Sequence, residues 1–220
     1  MILYVVTDTC AQYRKNTIWF TMGRALEKTA RDACLILHYS QVSPDTLAQI
    51  KPWAVCHSGG STDYSEYGVL RDRRYRRAVM ECGIPQIGFC GGHQILASFF
   101  GSTLGPMRKL RPDEPNPCSY NPAYFKEWGV YPVRIVKDDP LFRSCGKVLR
   151  VKEYHYFEVK TLGKDLMLLA SSKECRVQVY RHRTRLLYGT QFHPEQPEKL
   201  YPDGTTILKN FFRMARHQAG

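Results

Sequence analysis

The chain has 220 residues, 43% of them hydrophobic, which suits one domain with a sizeable core. Lysine and arginine number 32 against 20 aspartate and glutamate, a net charge of +12. No apolar run approaches the roughly 18–20 residues of a membrane span. The first apolar run is too short for a signal-peptide core and has no basic stretch before it, so a cytoplasmic protein with no membrane partner is expected.

Residues 2–7 read as a buried strand. A helix is expected over 17–30, with Asn16 as its cap, and a second strand over 34–39. Ser43-Pro44-Asp45 marks the next helix start, with serine as N-cap and proline at the first helical position. Residues 53–57 form a third strand, closed by Ser58-Gly59-Gly60. Arg71-Asp72-Arg73-Arg74-Tyr75-Arg76-Arg77 then opens a helix that runs to about Cys82 and stops at Gly83. Five arginines in seven residues could mark a nucleic-acid footprint, but no nucleic-acid motif accompanies them. The solvated face of a helix is the preferred reading, and nucleic acid is not an expected partner despite the charge. Residues 84–89 are a short apolar run that stops at Cys90, and a helical pattern follows. This alternation predicts a parallel sheet with helices on both faces. Ligands in such sheets sit outside the carboxyl ends of the strands, where Gly59-Gly60 and Cys90 both fall.

The second half reads differently. Residues 111–124 hold four prolines, and the wider segment 108–126 is expected to be a loop insertion. Strand-like runs follow at 130–136, 148–151, 155–159, 166–170, 177–180 and 186–192, with a closing helix over 205–216. The expected fold class is α/β: one domain over residues 1–220, a central and mostly parallel sheet flanked by helices, and a smaller antiparallel region in the second half. Eight cysteines occur with no CxxC pair. Cys34 and Cys56 sit in apolar runs, where a reduced thiol acts as a small hydrophobe, and a disulfide framework is not expected.

The chemistry starts at Cys90. A strand, a sharp turn and a helix would place its thiol at a helix N-terminus, where the dipole and the unpaired N–H groups favour the thiolate. Such a nucleophile needs a histidine, and the histidine needs an orienting group. Tyr188-Gly189-Thr190-Gln191-Phe192-His193-Pro194-Glu195 offers both. His193 falls at a strand end, and Glu195 projects to the same side two residues on. Oxyanion donors are available from the Gly91 N–H and from the Ser58-Gly59-Gly60-Ser61 loop. A rival reading takes Cys90, His93, His193 and Glu195 as zinc ligands. Gly91-Gly92 suits an elbow better, so no metal site is expected. His57, beside the glycine loop, is as well explained by a place at a strand end as by a chemical role.

Gly88-Phe89-Cys90-Gly91-Gly92-His93-Gln94, Ser58-Gly59-Gly60 and Gln191-Phe192-His193-Pro194-Glu195 together resemble the class I (triad) glutamine amidotransferase domain. Further similarity lies in Lys126-Glu127-Trp128-Gly129 with Val133-Arg134-Ile135, in Asp139-Pro140-Leu141-Phe142, in Tyr154-His155-Tyr156 and in Asp203-Gly204 with 207–211. The resemblance covers nearly the whole chain and implies the family's flavodoxin-like fold. It implies that Cys90 attacks the side-chain amide of glutamine to form a γ-glutamyl thioester. His193 would protonate the departing ammonia and then activate water, and Glu195 would orient His193. Gly60 and Gly91 would supply oxyanion N–H groups. Gly59, Gln94, His155 and Tyr156 would meet the substrate. No cofactor is implied.

The partners implied are glutamine, or another γ-glutamyl amide, and a separate synthase subunit that accepts the ammonia. Two alternatives stay open: a γ-glutamyl peptide or amide hydrolase with the same triad, and a non-catalytic binding or regulatory protein on this fold. Two departures from the family pattern stand out. Gly91 replaces a bulky residue after the nucleophile, from which a looser turn is expected. Ser61-Thr62-Asp63 replaces the proline that usually follows the glycine loop. Both bear on the acceptor and the substrate more than on the triad.

Overall fold

The computed structural model describes residues 1–66, 68–196 and 198–219. Strand β1 (Ile2–Val6) is buried at every position. Ile2, Tyr4 and Val6 face one core cluster, whereas Leu3 and Val5 face another. An unbroken apolar run of this kind marks a strand covered on both faces. Beside it lie β2 (Cys34–His38) and β3 (Val55–His57), both parallel to β1. β4 (Gln86–Phe89) continues the parallel set against β3.

The helices fill the two faces. α1 (Cys10–Lys15) is a short turn of helix that the hydrophobic pattern does not announce; Thr9 caps it by accepting from the Gln12 N–H. α2 (Ile18–Ala30) has Thr17 rather than Asn16 as its N-cap, and Asn16, one residue earlier, accepts the Ile18 N–H through Oδ1 at 3.0 Å. α3 (Pro44–Ile50) has Ser43 as N-cap and Pro44 in its first turn. α4 (Arg73–Glu81) is capped by Asp72 and buries Tyr75, Ala78 and Val79. Its arginines 73, 74, 76 and 77 are exposed, so the arginine cluster is the outer face of an amphipathic helix. α5 (Gly91–Phe99) follows Cys90, and α6 (Asp203–Ala219) closes the chain. α2 and α6 pack on one core cluster through Trp19, Leu26, Ile207, Phe211 and Phe212. α3, α4 and α5 pack on the other through Leu47, Tyr75, Val79, Ile95 and Leu96.

The second half adds β6 (Glu127–Ile135), β7 (Val148–His155), β9 (Leu166–Ser171), β10 (Val179–His182) and β11 (Leu187–Thr190) to the same sheet. Among the described residues, the nine strands run in the order β2-β1-β3-β4-β11-β10-β9-β6-β7. β11 is parallel to β4, and every pair beyond it is antiparallel. The sheet is therefore mixed, parallel on the side that builds the site and antiparallel on the other. A separate two-stranded ribbon joins β5 (Thr103–Pro106), which the sequence pattern did not mark, to β8 (Phe157–Thr161).

Residues 108–126 are irregular apart from one bridge, Lys109 to Tyr124. Arg108 pins the segment. It meets Glu114 at 2.7 Å and Glu174 at 2.9 Å while its guanidinium lies 4.1 Å from the Phe125 ring centroid. Lys126 is buried and donates to Asn116 Oδ1 and the Tyr124 carbonyl. Among the described residues, no helix is long and apolar enough to cross a membrane.

Candidate active site

β3, β4 and β11 are neighbours and run parallel, so their carboxyl ends open on one edge of the sheet. Ser58-Gly59-Gly60 leaves β3, Cys90 leaves β4, and His193 lies three residues beyond the end of β11. Segments far apart in sequence thus meet through strand order alone. Cys90 has φ 45° and ψ −103°, a strained backbone that turns the side chain out at the start of α5. The elbow depends on missing side chains. A Cβ on Gly88 would lie 2.6 Å from the Gly92 carbonyl carbon, and one on Gly92 would lie 2.4 Å from the His57 carbonyl oxygen.

The thiol and the imidazole flank Gly59. A Cβ there would lie 2.9 Å from His193 Cε1 and 3.5 Å from Cys90 Cβ. His193 Nδ1 is 2.8 Å from Glu195 Oε1, so Glu195 fixes the ring as an orienting carboxylate does. Burial alone pushes the His193 imidazolium down. The charges of Glu195 and Cys90, and its hydrogen bonds to both, more than reverse this, and its pKa lies well above the ordinary histidine value. Gln191 Nε2 donates to Cys90 Sγ at 3.7 Å, a contact the sequence did not single out.

Gly91 and Gly60 face each other: a Cβ on Gly91 would lie 2.9 Å from the Gly60 nitrogen and 3.3 Å from Tyr64 Oη. The first N–H groups of a helix have no intrahelical partner, so the Gly91 N–H is available for an oxyanion. The expectation of a looser turn at Gly91 is not what the structure has. The space a larger side chain would need is occupied by the β3 loop and by Tyr64.

That loop is held by Asp8, at the end of β1. Asp8 Oδ2 accepts from the Ser61 N–H at 2.7 Å and from Ser61 Oγ at 2.9 Å, and Oδ1 accepts from Thr62 Oγ1 at 2.6 Å. The loop then turns through a short 3-10 segment (Tyr64–Glu66) over the site. Tyr64 Oη donates to Gln94 Oε1 at 2.8 Å and to the Gly91 carbonyl at 3.1 Å. Gln94 Nε2 donates in turn to the Phe157 carbonyl at 2.6 Å and to Gln191 Oε1 at 3.0 Å. The Gln94 amide is therefore one turn beyond Cys90, as its place in the motif suggests, with both ends held. Of these residues, Asp8 had a readable signal, its place at a strand end. Gln191 had the same one, directly after β11 and inside the motif that ends at Glu195, and Tyr64 had none.

The His155 side chain does not face substrate. It is buried behind the site, with Nε2 at 3.0 Å from Glu127 Oε2 and 3.2 Å from Glu153 Oε2, while Nδ1 is 3.1 Å from the Phe157 carbonyl. Burial lowers the affinity of His155 for its proton, but the two glutamates outweigh it and raise the pKa to about 10. Burial raises Glu153 to about 7 against the opposing pull of His155. His155 thus acts on the cavity through the 155–157 backbone. Tyr156 donates from Oη to Asp63 Oδ2 at 2.7 Å, and its carbonyl accepts from the Met107 N–H.

His57 and His93 are structural. His57 bridges Tyr75 Oη at 2.6 Å and Gln86 Oε1 at 3.0 Å, and burial lowers its pKa to about 4. His93 packs under the elbow with its ring 4.7 Å from Tyr180, and burial lowers its pKa to about 3. Among the described residues, the cluster with metal-ligand spacing is Glu127, His155 and Cys175, which shares no residue with the set Cys90, His93, His193 and Glu195. A metal there would displace the His155–Glu127 hydrogen bond.

Among the described residues, one cavity is lined by the Cys90 thiol and a second by its partner His193. One of about 50 Å³ lies between Cys90, Gly91, Gln94 and the 154–157 segment, under Asp63 and Tyr64. The other, about 280 Å³, lies on the His193 side against Ile18, Trp19, Met22, Trp128 and Tyr154.

The model of the family "Glutamine amidotransferase class-I" matches residues 22–215. The chain belongs to the class-I glutamine amidotransferases. Within that family it is 28% identical over 212 residues to a GMP synthase [glutamine-hydrolyzing] subunit of Pyrococcus furiosus, covering 96% of this chain and 98% of the relative. It is 29% identical to the corresponding subunit of Thermococcus kodakarensis, covering 95% and 96%. The crystal structure of a putative GMP synthase subunit from Thermoplasma acidophilum superposes with a TM-score of 0.75 at 24% identity, covering 100% of this chain and 96% of the other. A glutamine amidotransferase from Thermotoga maritima gives 0.67 at 16% identity, covering 99% and 97%. These two structures share the amidotransferase fold described above.

Proposed function

We propose that this amidotransferase is a glutaminase subunit that passes ammonia to a separate synthase subunit, in an assembly of the GMP synthase kind. The observation that carries the reading is the Cys90–His193–Glu195 alignment, with Glu195 2.8 Å from the imidazole and both glycine loops at the thiol. Cys90 sulfur attacks the δ-carbon of glutamine, and the carbonyl electrons move to oxygen, which takes N–H groups from Gly60 and Gly91. The tetrahedral adduct collapses as the C–N bond breaks, His193 gives its proton to nitrogen, and ammonia leaves. Water then enters, His193 takes one of its protons, and the hydroxide displaces the thiolate to give glutamate. Glu195 keeps the ring in register throughout and stabilises its charged form. Gln94, Gly59 and the backbone of 155–157 position the γ-glutamyl group. The near-complete coverage of the archaeal GMP synthase subunits supports the choice of partner.

Ammonia release from glutamine tests this directly, with and without the synthase subunit of a GMP synthase. The protein should release ammonia and glutamate in equal amounts, faster with the partner present. Cys90→Ala should abolish both products while the fold persists. Ammonia release that survives Cys90→Ala would refute the mechanism. The cavity beside His193 favours a second reading: its aromatic lining could hold a leaving amine larger than ammonia. Faster turnover of N-substituted γ-glutamyl amides than of glutamine would select that reading.

A further inference from the structure

The cavity next to Cys90 has an unusual lining. Among its described residues, Asp63 carries the one carboxylate, and no lysine or arginine takes part. His155 contributes only from behind, its imidazole turned onto Glu127 and Glu153. Five aromatic rings complete the wall: Tyr64, Tyr120, Tyr154, Tyr156 and Phe157. Several contact one another edge to face, Tyr120 with Tyr156 at 5.3 Å and Tyr64 with Phe157 at 5.9 Å. A carboxylate set among aromatic faces is the chemistry that recognises an ammonium group, through charge and through the negative ring faces.

The carboxylate is placed rather than merely present. Tyr156 Oη donates to Asp63 Oδ2 at 2.7 Å, and Asp8 holds the two preceding residues through Ser61 and Thr62. Tyr64, the next residue, is tied to Gln94 and Gly91. The whole Ser61-Thr62-Asp63-Tyr64 turn is therefore anchored at both ends. It stands where the family pattern has a proline after the glycine loop.

We propose that Asp63 is a specificity-determining residue that receives the α-ammonium group of the γ-glutamyl substrate, with the tyrosine wall around it. The inference rests on the γ-glutamyl amidase reading and deepens it. What it adds is the residue by which the site reads the substrate's free, charged α-amino group. Substrates lacking that group, or carrying it acylated, are discriminated against at this carboxylate.

The test uses the full chain and two ligands, L-glutamine and glutaramic acid, its analogue without the α-amino group. Binding of both is measured by calorimetry in the Cys90→Ala protein, with and without Asp63→Asn, and turnover is measured separately with Cys90 intact. A lost charge-assisted contact is worth about 10- to 100-fold in affinity. The Cys90→Ala protein should prefer glutamine by that factor, and Asp63→Asn should reduce the preference to near unity. Asp63→Glu should recover part of it. Equal affinity for the pair, or binding of neither, overturns the proposal. So does an Asp63→Asn variant that weakens both ligands equally, since that is the mark of a structural role for the Tyr156 contact. Selective binding without glutamine turnover would remove the glutaminase reading and leave the ammonium site standing.

Discussion

Gly91→Ala is the smallest change that tests how the oxyanion site is built. The added Cβ would sit 2.9 Å from the Gly60 nitrogen, 3.3 Å from the Gly59 carbonyl carbon and 3.3 Å from Tyr64 Oη, whereas ordinary contact begins near 3.4 Å. Two of the three neighbours are backbone, and Asp8 holds the loop that carries them. The Gly60 N–H must therefore retreat by about half an ångström, enough to take a donor out of the 2.7–3.1 Å range in which it serves an oxyanion. Gly91 has no positive φ, so alanine adds no backbone strain of its own. Loss of one such donor costs about 2.7–4 kcal/mol, or about 10²–10³ in kcat. Steady-state ammonia release should show that fall with a much smaller change in KM. Alkylation of Cys90 by iodoacetamide, which forms no oxyanion, should keep its wild-type rate. A kcat within twofold of wild type would refute this account of the site, and slowed alkylation would show that the elbow itself had moved.

Glu153→Gln probes the buried cluster behind the cavity. Glu153 and His155 both hold their protons more tightly folded than unfolded, at about 7 against an ordinary 4.5 and about 10 against 6.5. Their stabilisation is thus complete below the unfolded values and is lost as pH rises through the folded ones. The thermal midpoint of wild type, measured relative to Glu153→Gln at each pH, should fall as pH rises from 4.5 through 7; a flat difference would show that Glu153 is not protonated in the acid range. Arg108→Ala should release the 108–126 segment by removing the Glu114 and Glu174 bridges. Limited trypsin digestion should then cut after Lys109, since Pro112 blocks cleavage after Arg111, while the thermal midpoint moves little, and wild-type resistance would mean that the Lys126 contacts hold the segment alone.

The elements that follow periodicity were readable. The first parallel strands announced themselves as apolar runs, and Ser43-Pro44 marked a helix start by local chemistry. α1 escaped because its six residues bury none of their side chains, leaving no apolar stripe to find. β5 escaped because Thr103-Leu104-Gly105-Pro106 is half exposed and broken by glycine and proline, and its partner β8 lies more than fifty residues on. The early start of β6 at Glu127 was hidden by a charged residue that is buried only because His155, Ser172 and Gln178 converge on it.

The site divides along the same line. Cys90, His193 and the glycine loop were legible because each sits at the end of an apolar strand, and three adjacent parallel strands bring such ends together whatever lies between them in sequence. The cover of the site was not legible. Asp8 reaches residues 53 and 54 positions away, and Tyr64 reaches Gln94 across 30. Polar contacts of that kind follow no period, and a proline-to-serine exchange on its own reads only as a lost constraint. The structure assigns the constraint to a different source. Proline would have fixed the loop by restricting one φ; Asp8 fixes it through Ser61 and Thr62, and Asp63 and Tyr64 follow at the cavity beside the thiol. The two departures noted from sequence then have one cause, because a β3 loop held this close to the elbow leaves room after Cys90 only for glycine.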